Sequence, residues 1–185
     1  MGPTVKFADN LILKVEDDSK ARQVLDLYLR NREAFECFEP TRPEDFYTVN
    51  YHAVSLYREH KAYQLGTFLR YYIYLFPDEY KIIGSVNFNF INSEGTKFVE
   101  IGYKVDVDYQ NMGIAYTACT AAMKVIRNDY GITRVDARIH PANLASRRLA
   151  EKLGFKPVYT ESQWAHVNGR YVHLIRYSLD ISDIQ

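Results

Sequence analysis

The sequence predicts an α+β fold built on one mixed central sheet. Three observations support this: strand-like segments separated by turn residues from Gly66 to Val105, a switch to helical spacing directly afterwards, and a hairpin pattern near the C-terminus. The 185 residues suit a single domain spanning 1–185 with one sizeable core.

Leu11 to Val15 reads as the first strand. Asp17, Asp18 and Ser19 then offer N-cap oxygens to a helix beginning near Lys20, with Val24, Leu25, Leu27, Tyr28 and Leu29 as its apolar stripe. Arg32 to Pro43 is irregular. A second helix is expected after Pro43, with Asp45 in its first turn and Tyr51, Val54, Leu56 and Tyr57 on a buried face.

Strands follow at Thr67 to Leu75, Ile82 to Ile91 and Phe98 to Val105, turned by Pro77-Asp78 and by Asn92-Ser93-Glu94-Gly95. Ala115 to Asn128 has the helical period, with Ala118, Ala121, Ala122, Val125 and Ile126 on one face. Val135 to Ile139 is a short strand, Ser146 to Leu153 a helix ended by Gly154, and the tail a hairpin turning at Asn168-Gly169.

Hydrophobic residues at 47% and charged residues at 25% match an ordinary globular chain rather than a disordered one. Lys plus Arg equals Asp plus Glu at 23 each, so net charge gives no reason to expect nucleic acid or an anionic membrane as partner. Met1-Gly2-Pro3-Thr4 lacks the basic stretch and apolar run of a signal peptide, and no segment approaches the roughly 20 apolar residues of a membrane span, so the cytoplasm is expected. Cys37 and Cys119, one on each of two helices, fit a reduced protein with inert thiols. His52, His60, His140, His166 and His173 show no metal or triad spacing, and no metal is expected; His140 directly precedes Pro141-Ala142-Asn143. Sixteen tyrosines and ten phenylalanines are compatible with half-buried strands and a substrate pocket.

The chemistry concentrates at Asp108-Tyr109-Gln110-Asn111-Met112-Gly113-Ile114-Ala115, between a strand and a helix. Small residues at 113 and 115 allow backbone N–H groups to approach a ligand, and a helix N-terminus with unpaired donors favours an anion. There is no Gly-x-x-x-x-Gly-Lys-Ser/Thr, and the preceding strands are antiparallel rather than part of a βαβ unit, which argues against kinase-like and dinucleotide-binding readings.

Gln110, Gly113 and Ala115 fill the pattern Gln/Arg-x-x-Gly-x-Gly/Ala, and the segment resembles the pyrophosphate loop of the GNAT acyltransferase superfamily. Asn143, Ser146, Leu149, Lys152, Gly154 and Phe155 are similarly spaced to a second motif of that family. Asn31-Arg32, Phe38-Glu39-Pro40, Asp45-Phe46-Tyr47 and Glu100-Ile101-Gly102-Tyr103 resemble the RimJ/RimL-type branch, which acetylates ribosomal-protein N-termini. The resemblance implies the GNAT fold: a mixed, mostly antiparallel sheet of about seven strands with helices on both faces. It implies acetyl-CoA as co-substrate, with pantetheine along Tyr103 to Val105 and the pyrophosphate on the backbone of Asn111, Met112, Gly113, Ile114 and Ala115. Asn143 bridges amide groups of pantetheine, caps the following helix, or does both. Arg147-Arg148 would contact the 3′-phosphate or simply be solvated.

Acetyl transfer to an amine needs a proton acceptor, because a free amine is mostly ammonium near neutral pH. Glu100, flanked by Val99 and Ile101, is the candidate base; the alternative is a glutamate facing water or paired with a lysine or arginine. Many GNAT enzymes protonate the departing thiolate with a tyrosine that would fall at position 150, which is Ala150 here. Ser146, Tyr103 or water would then stand in.

The resulting expectation is direct transfer in a ternary complex, with a backbone N–H near Val105 polarising the thioester carbonyl and neither cysteine placed to form a covalent intermediate. The acceptor is a primary amine, either a protein N-terminus or a small molecule, and the enzyme a monomer or homodimer. Trp164, Tyr171 and the Glu36 to Glu39 segment are candidates for the acceptor end. The rival reading is a catalytically inactive acyl-CoA-binding or partner-binding module on the same fold.

Overall fold

Strands β3 (Phe68–Leu75), β4 (Gly84–Ser93) and β5 (Thr96–Val105) form the expected antiparallel meander. The computed structural model describes residues 4–7, 10–93, 95–167 and 170–184; the side chains of residues 6, 7, 163–167 and 170 are outside the description. The expected turn at Asn168-Gly169 lies outside the described residues, as does the side chain of Trp164.

Before the meander come β1 (Thr4–Phe7) and β2 (Leu11–Lys14), then α1 (Ala21–Arg30), α2 (Arg32–Glu36) and α3 (Val49–Gln64). After it come α4 (Ile114–Tyr130), β6 (Arg134–Ile139), α5 (Leu144–Lys152), β7 (Lys156–Val167) and β8 (Arg170–Asp180). One sheet of eight strands runs β1-β2-β3-β4-β5-β6-β8-β7, antiparallel everywhere except between β5 and β6. The α+β class and GNAT-type arrangement thus match expectation.

Alternating side chains divide the core between the two faces. Leu11, Leu13, Tyr71, Ile73, Val86, Phe88, Val99 and Ile101 pack with α4 through Ala118, Ala121, Ala122 and Ile126, and Ala150 of α5 joins them. Ile12, Tyr72 and Tyr74 point the other way, against Val24 and Leu27 of α1 and Leu56 of α3. Small residues on α4 let that helix approach the sheet closely, which brings its N-terminus to the end of β5.

Four details differ from the sequence reading, the first being Leu29 of α1, which spacing places on the apolar stripe and which is 51% exposed. The sheet has eight strands rather than about seven, because Thr4–Phe7 adds an edge strand too short to show a convincing alternation. Part of the stretch taken as irregular forms α2, and the next helix begins only at Val49, capped by the Thr48 hydroxyl, which accepts from the Tyr51 N–H at 3.1 Å. On α3 the buried residues are His52 and Leu56, while Val54 and Tyr57 are exposed. Polar side chains on the inward face of this helix defeat a reading based on apolar spacing.

A chain of charges crosses the second half of the sheet. Asp136 of β6, fully buried, accepts from Arg134 at 2.7 and 2.9 Å, from Arg176 at 2.8 Å and from the Ser178 hydroxyl at 2.7 Å. Arg176 continues to Glu161 at 2.7 Å, Glu161 to Arg138 at 2.6 Å, and Arg138 pairs with Glu100. Burial alone would raise the Asp136 carboxyl, but hydrogen bonds from Arg134, Ser178 and Arg176 outweigh it and hold it below the ordinary range.

Two stability predictions follow from these contacts. A Cβ at Gly84 would lie 2.5 Å from the Lys104 carbonyl oxygen, so Gly84→Ala must push β4 from β5. A loss of about 1–3 kcal/mol is expected, read as a fall in melting temperature of several degrees. Asp136→Asn should cost about 3–5 kcal/mol at pH 7 in a urea titration. Because the folded carboxyl is depressed, its contribution is present above the unfolded value of roughly 3.9 and disappears as pH falls through the folded value. The gap between wild type and variant should therefore close on acidification.

Candidate active site

Strand β5 stays paired to β4 along its length but pairs with β6 only at Val99 and Glu100. The Asp106 N–H donates to the Ile83 carbonyl at 2.8 Å, so alternation turns the backbone groups of Tyr103 and Val105 toward the opposite, opened edge. Between that edge and α5 lies a cleft of about 640 Å³.

The loop leaving β5 is fixed from below. Asp106, 1% exposed, accepts from Arg30 at 2.9 and 3.1 Å and from the Asp108 N–H at 3.2 Å. Asn31, equally buried, accepts from the Val107 N–H at 2.8 Å and donates to the Leu27 carbonyl at 2.9 Å. The end of α1 thus clamps the loop, which gives the Asn31 identity a structural reason. Gln110 folds back to donate to the Val105 carbonyl at 3.3 Å. Asn111 at φ 59° and Gly113 at φ 79° are both left-handed, a conformation that asparagine tolerates and glycine adopts freely. Gly113 is the N-cap of α4, and no side chain caps that helix, so its first-turn N–H groups remain available to an anion.

The opposite wall is α5. Asn143, which borders the cleft, caps this helix by accepting the Ser146 N–H at 3.1 Å through Oδ1, so its side-chain NH2 is not used by the cap. The Tyr103 hydroxyl spans the wedge and donates to the Ser146 carbonyl at 3.0 Å. Ser146 is held through both its backbone N–H and its carbonyl, so its hydroxyl has a fixed origin. Burial, with Cys119 nearby, pushes the Tyr103 phenol well above its ordinary value and keeps it protonated.

Tyr103, Val105, Gln110, Asn111, Gly113, Ile114, Ala115, Asn143 and Ser146 all border the cleft. Met112 is 66% exposed and lies outside the lining, leaving its backbone as its contribution. Glu100 also lies outside the lining; its carboxylate is ion-paired with Arg138, the pairing that sequence left open as the alternative. Arg147 turns away to Tyr177 at 3.2 Å and the Pro141 carbonyl at 3.3 Å, so the lining cation on α5 is Lys152, over the Tyr116 ring.

Leu149 and Lys152, which sequence reasoning named only as members of the second motif, border the cleft, and so does Lys104, which it did not single out and which only its place between Tyr103 and Val105 could have flagged. Phe38 and Glu39 border it as expected of the Glu36 to Glu39 segment, whereas Tyr171 is 70% exposed and does not. Glu39 is ion-paired to Lys104 and Arg42. His140 accepts the Ala142 N–H through Nδ1 at 3.1 Å and packs its ring on Phe38 at 5.3 Å. Cys119 is buried on α4, whereas Cys37, expected on a helix, follows the end of α2 and borders the cleft within the Glu36 to Glu39 segment; its Sγ points to the Glu33 carbonyl at 3.1 Å.

The family description "Acetyltransferase (GNAT) domain" matches residues 14–156, from the last residue of β2 to the first of β7, and so includes both walls of the cleft. The chain belongs to the GNAT acetyltransferase family. This GNAT enzyme is 27% identical over 171 residues to ribosomal protein uS5-alanine N-acetyltransferase of Escherichia coli, covering 91% of this chain and 87% of that relative. Its fold matches the ribosomal-protein-S5-alanine acetyltransferase of Vibrio fischeri with a TM-score of 0.89 at 22% identity, covering 99% of both chains. It also matches RimL, the ribosomal L7/L12 alpha-N-protein acetyltransferase in complex with coenzyme A, with a TM-score of 0.87 at 20% identity, covering 97% of this chain and 99% of that one. The RimJ/RimL-type resemblance is therefore shown, and the protein is an acyltransferase. Among the described residues no helix is long and apolar enough to cross a membrane.

Gly113→Asp would place a carboxylate and a strained left-handed backbone where the open N-terminus of α4 meets the cleft. In calorimetric titration, acetyl-CoA should bind wild type and bind this variant at least about 100-fold more weakly, the scale of a like-charge contact of a few kcal/mol.

Proposed function

We propose that this GNAT enzyme transfers the acetyl group of acetyl-CoA to a primary amine in a ternary complex, with a protein N-terminus as the acceptor class favoured by its relatives. The observation that carries the reading is the open β5 edge at Tyr103 and Val105 leading straight to the uncapped start of α4. An extended amide-bearing arm suits the first as an added strand, and a pyrophosphate suits the second. The cofactor's thioester would then meet the Val105 N–H, positioned to stabilise the oxyanion.

The amine attacks the thioester carbon, its proton passes to a base, and the thiolate leaves with a proton supplied by Ser146 or by water. Glu100 is the proposed base, acting through a water because it stands outside the lining. Ala150, 1% exposed and packed in the core, has no acid to offer, and Tyr103 spends its proton on the Ser146 carbonyl. Glu39, which borders the cleft directly, is the other carboxylate on the acceptor side and suits an ammonium before deprotonation.

Acetyl transfer to alanine-started and serine-started peptides, followed by thiol release, tests the reading; release without peptide acetylation would reject a protein N-terminus as the acceptor. Glu100→Gln should lower kcat by about 100-fold or more while acetyl-CoA binding is unchanged. If Glu39→Gln produces that loss and Glu100→Gln does not, the base is Glu39.

A further inference from the structure

On the face of the sheet away from α4, a second cavity of about 160 Å³ lies between α1, α3 and β3. Tyr28, Arg42, Phe46, His52, Glu59 and Arg70 are among its walls. Three nitrogen atoms of these walls, Arg42 Nε, Arg70 Nε and His52 Nε2, are buried and find no hydrogen-bond partner among the described residues. His52 itself is 3% exposed. Buried polar atoms are nearly always satisfied, so several orphans around one polar hollow indicate a group that completes them.

The surrounding side chains are held in place. The Arg42 guanidinium lies 4.2 Å over Phe46 and 5.2 Å over Tyr28 and pairs with Glu39. Arg70 is tied to Glu59 at 2.5 Å. The His52 ring stacks on Tyr28 at 5.2 Å with 15° between planes. Lys104 donates to the Tyr28 hydroxyl at 3.2 Å and to Glu39 at 2.5 Å.

Arg42, Arg70 and Lys104 thus face Glu39 and Glu59, three cations against two carboxylates. The titrating neighbours register that surplus. Burial would raise the Tyr28 phenol, yet Lys104, Arg70 and Arg42 reverse the shift and lower it. Burial, reinforced by Arg42 and Arg70, pushes the Lys104 ammonium down and takes His52 to about 4. A monoanion would balance the surplus charge and accept from the two guanidinium Nε–H groups, which suits a carboxylate. The space is too small for a nucleotide.

The hollow adjoins the cleft through a single layer of side chains. Lys104 stands between Tyr103 and Val105 on β5, and Lys104 and Glu39 border the cleft, while their partners Tyr28 and Arg42 border the hollow. We propose that this hollow is a carboxylate subsite, which accepts an acidic group of the acceptor while the acceptor's amine lies in the cleft beside Glu39. The acceptor half of this inference rests on the acetyltransferase reading above; the anion half does not.

Two measurements test it. Sodium acetate is titrated against sodium chloride of equal ionic strength, by calorimetry, into wild type and into Arg42→Lys and Arg70→Lys, each variant first checked for folding by circular dichroism. Acetylation is then measured on alanine-started peptides carrying Glu or Gln at the second, third or fourth residue. Saturable acetate binding weakened at least 10-fold in a folded variant supports the subsite. A KM at least 10-fold lower for a Glu peptide than for its Gln twin, with the preference lost in Arg42→Lys, identifies the acceptor as the source of the carboxylate; acetate binding without that preference identifies a free anion. Arg42→Lys, whose residue lies on a loop, carries the test if Arg70→Lys does not fold. Absence of both acetate binding and carboxylate preference overturns the proposal, even where peptides are acetylated. Acetate binding with no peptide acetylated keeps the anion site and rejects a protein N-terminus as the acceptor instead.

Discussion

Beyond Glu100, strand β5 keeps its hydrogen bonds to β4 while β6 bends away, and the functional architecture depends on how that wedge is held open. An exposed row of backbone groups invites closure of the sheet, because unpaired polar groups in a partly buried site are costly. The protein resists closure from both sides. The buried pair Asn31 and Asp106, with Arg30, anchors the lower end of β5 to α1, and the Tyr103 hydroxyl sets the distance to α5. Small residues on α4 then let the helix dock directly beneath the wedge, so that its dipole is aimed at the mouth.

Much of this was legible from residues alone because the elements obey strong local rules. The meander shows in its turn residues, α4 in its alanine face, and the loop in Gln110, Gly113 and Ala115, whose backbone demands leave a chemical trace. What sequence could not supply is long-range. Glu100 and Arg138 sit on different strands, and only their pairing across the sheet shows that Glu100 is tied down. Position left Arg147 either a phosphate contact or solvated, and its actual partner Tyr177 lies on β8. The misjudged face of α3 has the same origin: His52, Ser55 and Glu59 line a polar hollow, where Glu59 accepts from Arg70 of β3 and from Ser55, and no apolar periodicity records a polar interior.

The two sides of the sheet also differ in kind. The α4 side is packed with aliphatic and small side chains and supplies rigidity close to the loop. The α1–α3 side mixes tyrosines with arginines, a lysine and glutamates, and its interactions are specific in geometry and sensitive to the loss of one partner. Precision is thereby concentrated on the side that holds the proposed carboxylate subsite.

Strand β5 presents its backbone and its side chains to different neighbours. The peptide groups of Tyr103 and Val105 face the opened edge, while Lys104 between them reaches through to Tyr28 and Glu39. Under the proposed cofactor placement, one substrate is gripped by atoms common to every amino acid and the other by atoms that vary with each codon. Mutational drift at position 104 and its contacts can then alter what is acetylated while the grip on the donor persists. A lineage with this strand can diversify its targets without first losing its chemistry.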